Sequence, residues 1–147
     1  MTQPGDPPSA LEQRGTELGI AFTRGRTWSS NSYLALQAGE WAGERLDGDG
    51  FHRAMLKAYF EDLADIGSID GIVAIAEAAG LPGSELRVAL ESGTFKQQTD
   101  DGLRWSHAIG VTAVPTFVFD DKYGVVGAQP YQVLEETMRE MGKVPRG

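Results

Sequence analysis

Apolar residues recur three, four and seven positions apart along most of the chain, which is the spacing of amphipathic helices. The longest stripe predicts a helix of about three turns that begins at residue 51. Four further helices are expected: one at residues 11–18, one that begins near residue 34, one that begins after residue 68 and one that begins after residue 84. A weaker stripe predicts another helix at 94–109. The residues that define these faces are Leu34, Ala38, Trp41 and Ala42; Phe51, Ala54, Met55, Ala58, Tyr59 and Leu63; Ile72, Val73, Ala76 and Ala79; Leu86 and Leu90; and Phe95 and Leu103.

Short polar residues between these stripes predict where the helices begin. Ser30 or Asn31 is expected to cap the helix near residue 34, because such side chains accept hydrogen bonds from the free N–H groups of a first turn. Ser68 and Ser84 are expected to cap the two later helices for the same reason. The run Asp-Gly-Asp-Gly at 47–50 is expected to separate two helices.

The pattern changes after residue 110. The β-branched and aromatic run at 116–119 predicts a strand, residues 120–122 a turn, and residues 123–126 a second strand, which together predict an antiparallel hairpin. Pro130 suits the first position of a final helix. The apolar face of that helix is expected to contain Tyr131, Leu134, Met138 and Met141.

The charge of the chain excludes several classes of partner. The sequence has 13 Lys and Arg against 21 Asp and Glu, a formal net charge of −8, and its pI is about 4.7. An acidic surface repels phosphate backbones and anionic lipids, so neither nucleic acid nor a membrane is expected as a partner. No run approaches the roughly 18 apolar residues of a membrane-spanning helix, and the start lacks a secretory signal. We therefore expect a cytoplasmic protein.

The sequence contains no cysteine, which excludes disulfides and cysteine nucleophiles within these 147 residues. Asp47 and Asp49 resemble the start of a calcium loop, but His52 and Ala58 stand where that loop needs Gly and Glu. His52 and His107 have no second histidine at the spacing of zinc ligands. We expect no metal, no cofactor and no catalytic residue in this chain.

The local feature that says most about function is Val114-Pro115-Thr116-Phe117. Proline donates no hydrogen bond to a sheet, so Pro115 fits the first residue of an edge strand. An X–Pro bond also costs little in the cis form, about 0.5–1 kcal/mol. A cis bond would turn the Val114 backbone outward, where its N–H and C=O could pair with an extended peptide. The local sequence leaves both interpretations open.

The run IGVTAVPTFVFDDKYGVVGAQPYQVLEETM resembles the C-terminal signature of DsbA-family proteins of the FrnE-like group. The similarity continues upstream through NSYLALQAGEWA, FHRAMLKAYFEDLADIG and IAEAAGLPGSELRVALESGTF, and spans residues 11–142. The resemblance implies an α/β fold of thioredoxin-like DsbA type, with a large helical insertion and a small sheet. It divides the chain into a flexible leader (1–9), the insertion (10–110), the C-terminal half of the thioredoxin fold (111–142) and a tail (143–147).

The resemblance also implies a function and a site. DsbA-type proteins are thiol–disulfide oxidoreductases whose Cys-x-x-Cys lies in an N-terminal unit that this sequence does not contain. We therefore expect an N-terminally truncated member, inactive in disulfide exchange. Of the family's site residues, only Val114 and Pro115 have counterparts in this chain. The resemblance implies that a cis peptide bond joins them and that they bind the backbone of a thiol or disulfide protein or peptide.

Two other functions remain open. One is a non-redox protein that binds a peptide or a partner through the groove at Val114 and Pro115. The other is a fragment of a glutathione-dependent isomerase or transferase, similar to 2-hydroxychromene-2-carboxylate isomerase. Proteins of that type carry a Ser-Asp or similar pair after the hairpin, where this chain has Ala128 and Gln129.

The resemblance finally implies a homodimer. The strand at 116–119 would lie beside a strand of the N-terminal unit, and without that unit it becomes an open edge that can pair with another chain. Twofold pairing is the commonest way to bury a self-complementary surface. The alternatives are a monomer in which residues 20–23 occupy the vacant strand position, and aggregation.

Overall fold

The computed structural model describes residues 7–45 and 48–143. The chain divides into two compact units, Met1–Asp101 and Gly102–Gly147, and the boundary falls within α6. Within the described residues no helix is long and apolar enough to cross a membrane. The elements are α1 (Ala10–Glu17), α2 (Tyr33–Gly43), α3 (Gly48–Phe60), α4 (Ile69–Ala78), α5 (Gly83–Ser92), α6 (Lys96–Ala108), β1 (Thr116–Phe119), β2 (Tyr123–Val126) and α7 (Tyr131–Glu140).

The hydrophobic core lies among α2, α3, α4 and α5. Sixteen buried hydrophobic residues of the described chain form one cluster, and all of them fall between Ala38 and Phe95. The predicted faces account for most of this cluster, because the spacing that puts apolar residues on one side of a helix also directs them to a shared interior. Phe51, Ile72 and Leu86 are the largest side chains with almost no exposure.

Two predictions about α3 were wrong at its ends. Leu63 was placed on the apolar face of this helix, but α3 ends at Phe60 and Leu63 has a positive φ of 55°. The run at 47–50 was expected to separate two helices, and α2 and α3 are separate, but α3 was predicted to begin at residue 51 and residues 48–50 form its first turn. A Cβ at Gly48 would lie 2.7 Å from the Ala42 carbonyl oxygen. Glycine therefore permits a close approach to the end of α2. Asp47 lies outside the described residues.

The predicted helix caps were partly right. The Ser68 hydroxyl accepts a hydrogen bond from the Gly71 N–H at 3.2 Å, as expected. Ser32, rather than Ser30 or Asn31, is the N-cap residue of α2, and it makes no side-chain capping bond. The Asn31 Oδ1 instead accepts from the Tyr33 N–H at 3.0 Å.

The helices on either side of Gly93 also differ in detail from the prediction. The N-cap of α5 is Pro82, and Ser84 lies inside the helix. Helix α6 begins at Lys96, so the buried Phe95 precedes it, and Leu103 is 38% exposed rather than inward. The weak apolar stripe of this segment is consistent with a helix that buries little of its surface.

The N-terminal helix is capped and tied to the segment that follows it. Residues 1–6 of the expected leader lie outside the described residues, and Ser9 forms a capping box with Glu12 at the start of α1. Arg24 donates to the Glu12 carboxylate, with Nε and Oε1 2.5 Å apart. The hydrogen bonds from Arg24 and Ser9 lower the pKa of Glu12 to about 2.

The segment that follows α1 runs against the end of α3. The Thr23 N–H donates to the Phe60 carbonyl oxygen at 2.9 Å. The Arg26 guanidinium carbon lies 4.6 Å from the ring centroid of Trp28 and 3.9 Å from that of Tyr59. These contacts are cation–π interactions that hold the segment in place.

The hairpin has the boundaries that the sequence predicts. Strands β1 and β2 pair antiparallel, with Thr116 opposite Val126 and Phe119 opposite Tyr123. The turn places Asp120 and Asp121 at φ values of 48° and 54°. Aspartate tolerates this left-handed region better than most residues.

Candidate functional site

The chain enters β1 through Val114 and Pro115, the predicted site residues. The Val114–Pro115 peptide bond is cis. Val114 is 88% exposed. Within residues 7–45 and 48–143 its N–H and C=O make no hydrogen bond. The structure therefore leaves the Val114 backbone open to a partner, and the binding of a substrate there stays a prediction.

The neighbours of Val114 are held by hydrogen bonds that the sequence reasoning missed. The Pro115 carbonyl oxygen accepts from the Gly127 N–H at 2.7 Å. The Thr116 hydroxyl donates to the Ala113 carbonyl oxygen at 2.7 Å. A threonine directly after the proline is the signal for the second bond, because Thr hydroxyls often bond to nearby backbone in turns. Both bonds fix the chain on either side of an unpaired Val114.

The hydrogen-bond phase of the hairpin determines which groups of β1 face outward. Gly127 bonds to Pro115, so the alternation of an antiparallel ladder makes Phe117 and Phe119 the next residues bonded to β2. The N–H and C=O groups of Thr116 and Val118 therefore point away from β2. Among the described residues the sheet has only these two strands. We call this unpaired side of the strand the outer edge of β1.

Both faces of the hairpin carry apolar side chains. On one face, a groove of about 390 Å³ lies between β1 and α7. The side chains of Phe117, Phe119, Tyr131, Leu134 and Met138 contribute to its lining, as expected for the predicted apolar face of α7. On the other face, a second groove of about 330 Å³ is lined in part by Trp105, Ile109, Thr116, Val118 and Val126.

The charges beside the first groove are paired. Lys143 Nζ lies 3.5 Å from an Asp120 carboxylate oxygen. Arg139 Nη2 lies 2.7 Å from Glu135 Oε1, one turn earlier on α7. The groove therefore offers apolar surface with locally balanced charge at its rim.

The residues after β2 serve the hairpin itself. Gln129 Nε2 donates to the Val126 carbonyl oxygen at 2.9 Å. That carbonyl is free to accept because Val126 opposes Thr116 in a pair that exchanges no ladder bonds. The side-chain amide of Gln129 is thus engaged within the hairpin.

Among the residues that the structure describes, no group of three His, Asp or Glu side chains is placed to hold a metal ion. The closest polar pair between helices joins Tyr33 on α2 to Asp100 on α6, with oxygens 2.5 Å apart. This hydrogen bond raises the pKa of Tyr33.

Residues 8–139 match the family model described as a DSBA-like thioredoxin domain. The chain belongs to this family. In sequence it is 30% identical over 111 residues to the Bacillus subtilis (strain 168) protein YwbO, described as uncharacterized, covering 75% of this chain and 55% of that protein. In structure it is similar to a probable DsbA oxidoreductase, SCO1869 from Streptomyces coelicolor, with a TM-score of 0.78 and 26% identity. That match covers 93% of this chain and 60% of the other.

The comparisons confirm the expected fold, a DsbA-like thioredoxin fold that is mostly helical with a small sheet. The chain spans little more than half the length of each of these two proteins. Disulfide exchange requires a thiolate that attacks a disulfide sulfur. These 147 residues contain no cysteine, so they supply no such group.

Proposed function

We propose that this DsbA-like chain binds an extended segment of a thiol or disulfide protein at Val114 and contributes no redox group to that complex. One observation carries the proposal: Val114 is 88% exposed at the start of β1 and its N–H and C=O are unpaired among the described residues. A backbone in this state can accept a peptide by strand addition, in which main-chain hydrogen bonds supply affinity.

The surroundings of Val114 support the same interpretation. Ala113 and Pro115 are fixed by the hydrogen bonds to Thr116 and Gly127, so the docking position is ordered before a peptide arrives. Ordering a flexible segment on binding costs free energy, and a preorganised one avoids much of that cost. The apolar groove beside Phe117 is available to a side chain of the bound peptide.

The absence of cysteine from the sequence favours a second candidate, a non-redox binder of peptides or partners. This candidate uses the same Val114 backbone but selects its ligand by backbone and apolar contacts, without preference for cysteine. A role in glutathione chemistry has less support, because Gln129 is engaged with Val126. The expected cytoplasmic location stays a prediction.

The test is a titration of the ¹⁵N-labelled chain with an extended, unstructured peptide that contains one cysteine flanked by apolar residues. We expect the Val114 amide resonance to shift most, together with those of its neighbours, and to saturate. Val114→Pro removes the N–H donor and should weaken binding about tenfold, which corresponds to one or two hydrogen bonds. Thr112→Pro removes a donor two residues away and should leave the affinity unchanged.

The same peptide with serine in place of cysteine separates the two candidates. Equal affinity for both peptides favours the non-redox binder, and a preference for the cysteine peptide favours the oxidoreductase lineage. No saturable shift at Val114, or equal losses from both proline variants, would contradict the docking proposal. In an insulin-reduction assay the purified chain should show no turnover above buffer, because it has no thiol.

A further inference from the structure

The turn that follows β2 is held by one residue, Gln129, through both its backbone and its side chain. Its backbone N–H donates to the Gly127 carbonyl oxygen at 2.9 Å. Its side-chain Nε2 donates to the Val126 carbonyl oxygen, also at 2.9 Å. We propose that Gln129 is a positioning residue for the docking site at Val114, a role that rests on the proposed function and requires no contact with the peptide.

Gly127 is the link between this turn and the docking site. Its N–H donates to the Pro115 carbonyl oxygen at 2.7 Å. Its φ of 86° lies in the left-handed region, which glycine adopts without the steric cost that other residues meet. Glycine also has the largest choice of backbone conformations, so it does not stay in this one by itself. The direction of its N–H therefore depends on the bonds of its neighbours.

Gln129 supplies such bonds. Its side chain lies against Gly127, because a Cβ at that glycine would be 3.5 Å from Gln129 Nε2. The same nitrogen bonds to Val126, the residue before Gly127, and the backbone N–H bonds to Gly127 itself. A rotation of the backbone at Gly127 would lengthen or break one of these two bonds. Gln129 therefore restricts the direction in which the Gly127 N–H points.

The bond from Gly127 in turn orients the carbonyl group of Val114. The ring of Pro115 fixes the φ of that residue, so an anchored Pro115 carbonyl restricts the peptide group that precedes it. That planar peptide group contains the Val114 carbonyl oxygen. The Thr116 hydroxyl has the matching role on the other side, since it bonds to Ala113, whose peptide group contains the Val114 N–H. The carbonyl and the N–H of the docking residue are therefore held by two different side chains.

A role confined to the stability of the hairpin is the competing explanation for Gln129. The two strands are also joined by a ladder that Gln129 does not touch, in which Val125 and Phe117 form a bonded pair. Loss of a residue that only stabilises the hairpin would weaken this ladder as a whole, because small structural units open cooperatively. Loss of a positioning residue would instead loosen the bond at Gly127 and leave the bond at Val125 as it is.

Amide hydrogen exchange followed by NMR separates the two explanations in the free chain. Gln129→Met keeps the length of the side chain and removes its donor. Gln132→Met is the matched control, because it makes the same change at an exposed residue of α7. We expect the Gly127 amide to exchange about three- to tenfold faster in Gln129→Met, which corresponds to the loss of about one hydrogen bond. The Val125 amide should exchange at its original rate, and neither amide should change in Gln132→Met.

Titration with the cysteine-containing peptide proposed for Val114 tests the effect on docking. We expect the dissociation constant to rise about three- to tenfold in Gln129→Met, because a docking residue that is no longer held must be ordered on binding. Gln129→Glu keeps the shape of the side chain but replaces the donor NH₂ group with a second acceptor oxygen, so it should lose at least as much affinity. Gln132→Met should bind the peptide as the unmodified chain does.

The outcomes separate this role from the proposed function. Faster exchange at Gly127 alone, together with weaker docking in both Gln129 variants, supports the positioning role. Unchanged exchange at Gly127, equal acceleration at Val125, or an unchanged affinity of Gln129→Met overturns that role and leaves docking at Val114 intact. An unmodified chain whose Val114 amide does not respond to the peptide overturns the proposed function, and the positioning role with it.

Discussion

Truncation of one core side chain tests whether the helical unit is held by the cluster among α2–α5. Helix α5 offers a matched pair, because Leu86 is fully buried at 0% exposure and Val88, two residues later, is 66% exposed. Leu86→Ala removes apolar atoms from the interior of this cluster, whereas Val88→Ala removes atoms that are largely in water. The two substitutions act on the same helix and differ chiefly in burial.

The expected cost of Leu86→Ala follows from its burial. The loss of buried methyl and methylene groups costs about 0.8 kcal/mol for each. The cavity left behind adds to this cost wherever neighbours relax only in part. We expect a decrease of about 3–4 kcal/mol in the free energy of unfolding, a large part of the 5–15 kcal/mol of an ordinary domain. Val88→Ala should change it by less than about 0.5 kcal/mol.

Urea unfolding followed by far-ultraviolet circular dichroism measures both variants. Trp41 lies in the same cluster at 3% exposure. Fluorescence in a background with Trp28→Phe and Trp105→Phe, where Trp41 is the one remaining tryptophan, provides a second probe of the same unit. We expect a lower midpoint for Leu86→Ala with an unchanged slope. Equal midpoints for the Leu86 and Val88 variants would show that the cluster does not stabilise the fold as described.

Two further predictions concern the helical unit. Gly71→Ala should destabilise this unit by about 1–3 kcal/mol, because a Cβ there would meet the Asp65 carbonyl oxygen. Gly39→Ala should instead stabilise it by about 0.5–1 kcal/mol, because a Cβ at Gly39 would have no atom within 4 Å. Thermal unfolding measures both variants. Glu12 should titrate near pH 2 by carboxyl NMR, against an ordinary value of 4.5. Because the pKa of Glu12 is lowered in the folded chain, the stability that its ionised carboxylate contributes is complete above pH 4.5 and is lost as the pH falls through 2. Arg24→Gln should move the pKa of Glu12 upward. A Glu12 titration near its ordinary value in the unmodified chain would contradict the Arg24 contact.

The elements of this fold were largely readable from the sequence. The hairpin was predicted at its observed boundaries, because a β-branched and aromatic run stands between a proline and a polar turn. Three core positions of α4, Ile72, Val73 and Ala76, were predicted for a similar reason, since Ser68 and the 3.6-residue spacing agree. The buried Ile75 was missed, and the predicted Ala79 is the exposed C-cap residue. Where local preference and pattern indicate the same structure, the sequence is sufficient.

Helix starts were less predictable because several residues compete for the same role. Ser32 is the N-cap residue of α2 although Asn31 is about equally suited to that position, and the Asn31 side chain still accepts from the Tyr33 N–H. Gly48 joins a helix because of a close approach to α2, and no local preference reports such a contact. Tertiary contacts decide these positions, and sequence propensity is only a weak guide to them.

The role of Val114 and Pro115 as a binding site stays a prediction, and the contacts around them were not predicted from the sequence. The local sequence drew attention to Val114 and Pro115 but favoured a proline that simply starts an edge strand, and the resemblance to the DsbA family then favoured a cis bond. The bonds at Gly127 and Thr116 depend on the register of the hairpin. The register also decides that the N–H and C=O groups of Val118 point away from β2, and a shift of one residue would turn them toward β2.

The location of the core has a consequence for how this protein can diversify. All but one of the buried hydrophobic residues described lie between Ala38 and Phe95, and the exception is Val125 in the hairpin. Stability and the peptide recognition that we propose at Val114 therefore draw on different residues. Substitutions around Val114 and on the exposed side of α7 should cost little folding free energy, so ligand preference can drift among homologues, or be selected from a library, without compensating changes in the helices.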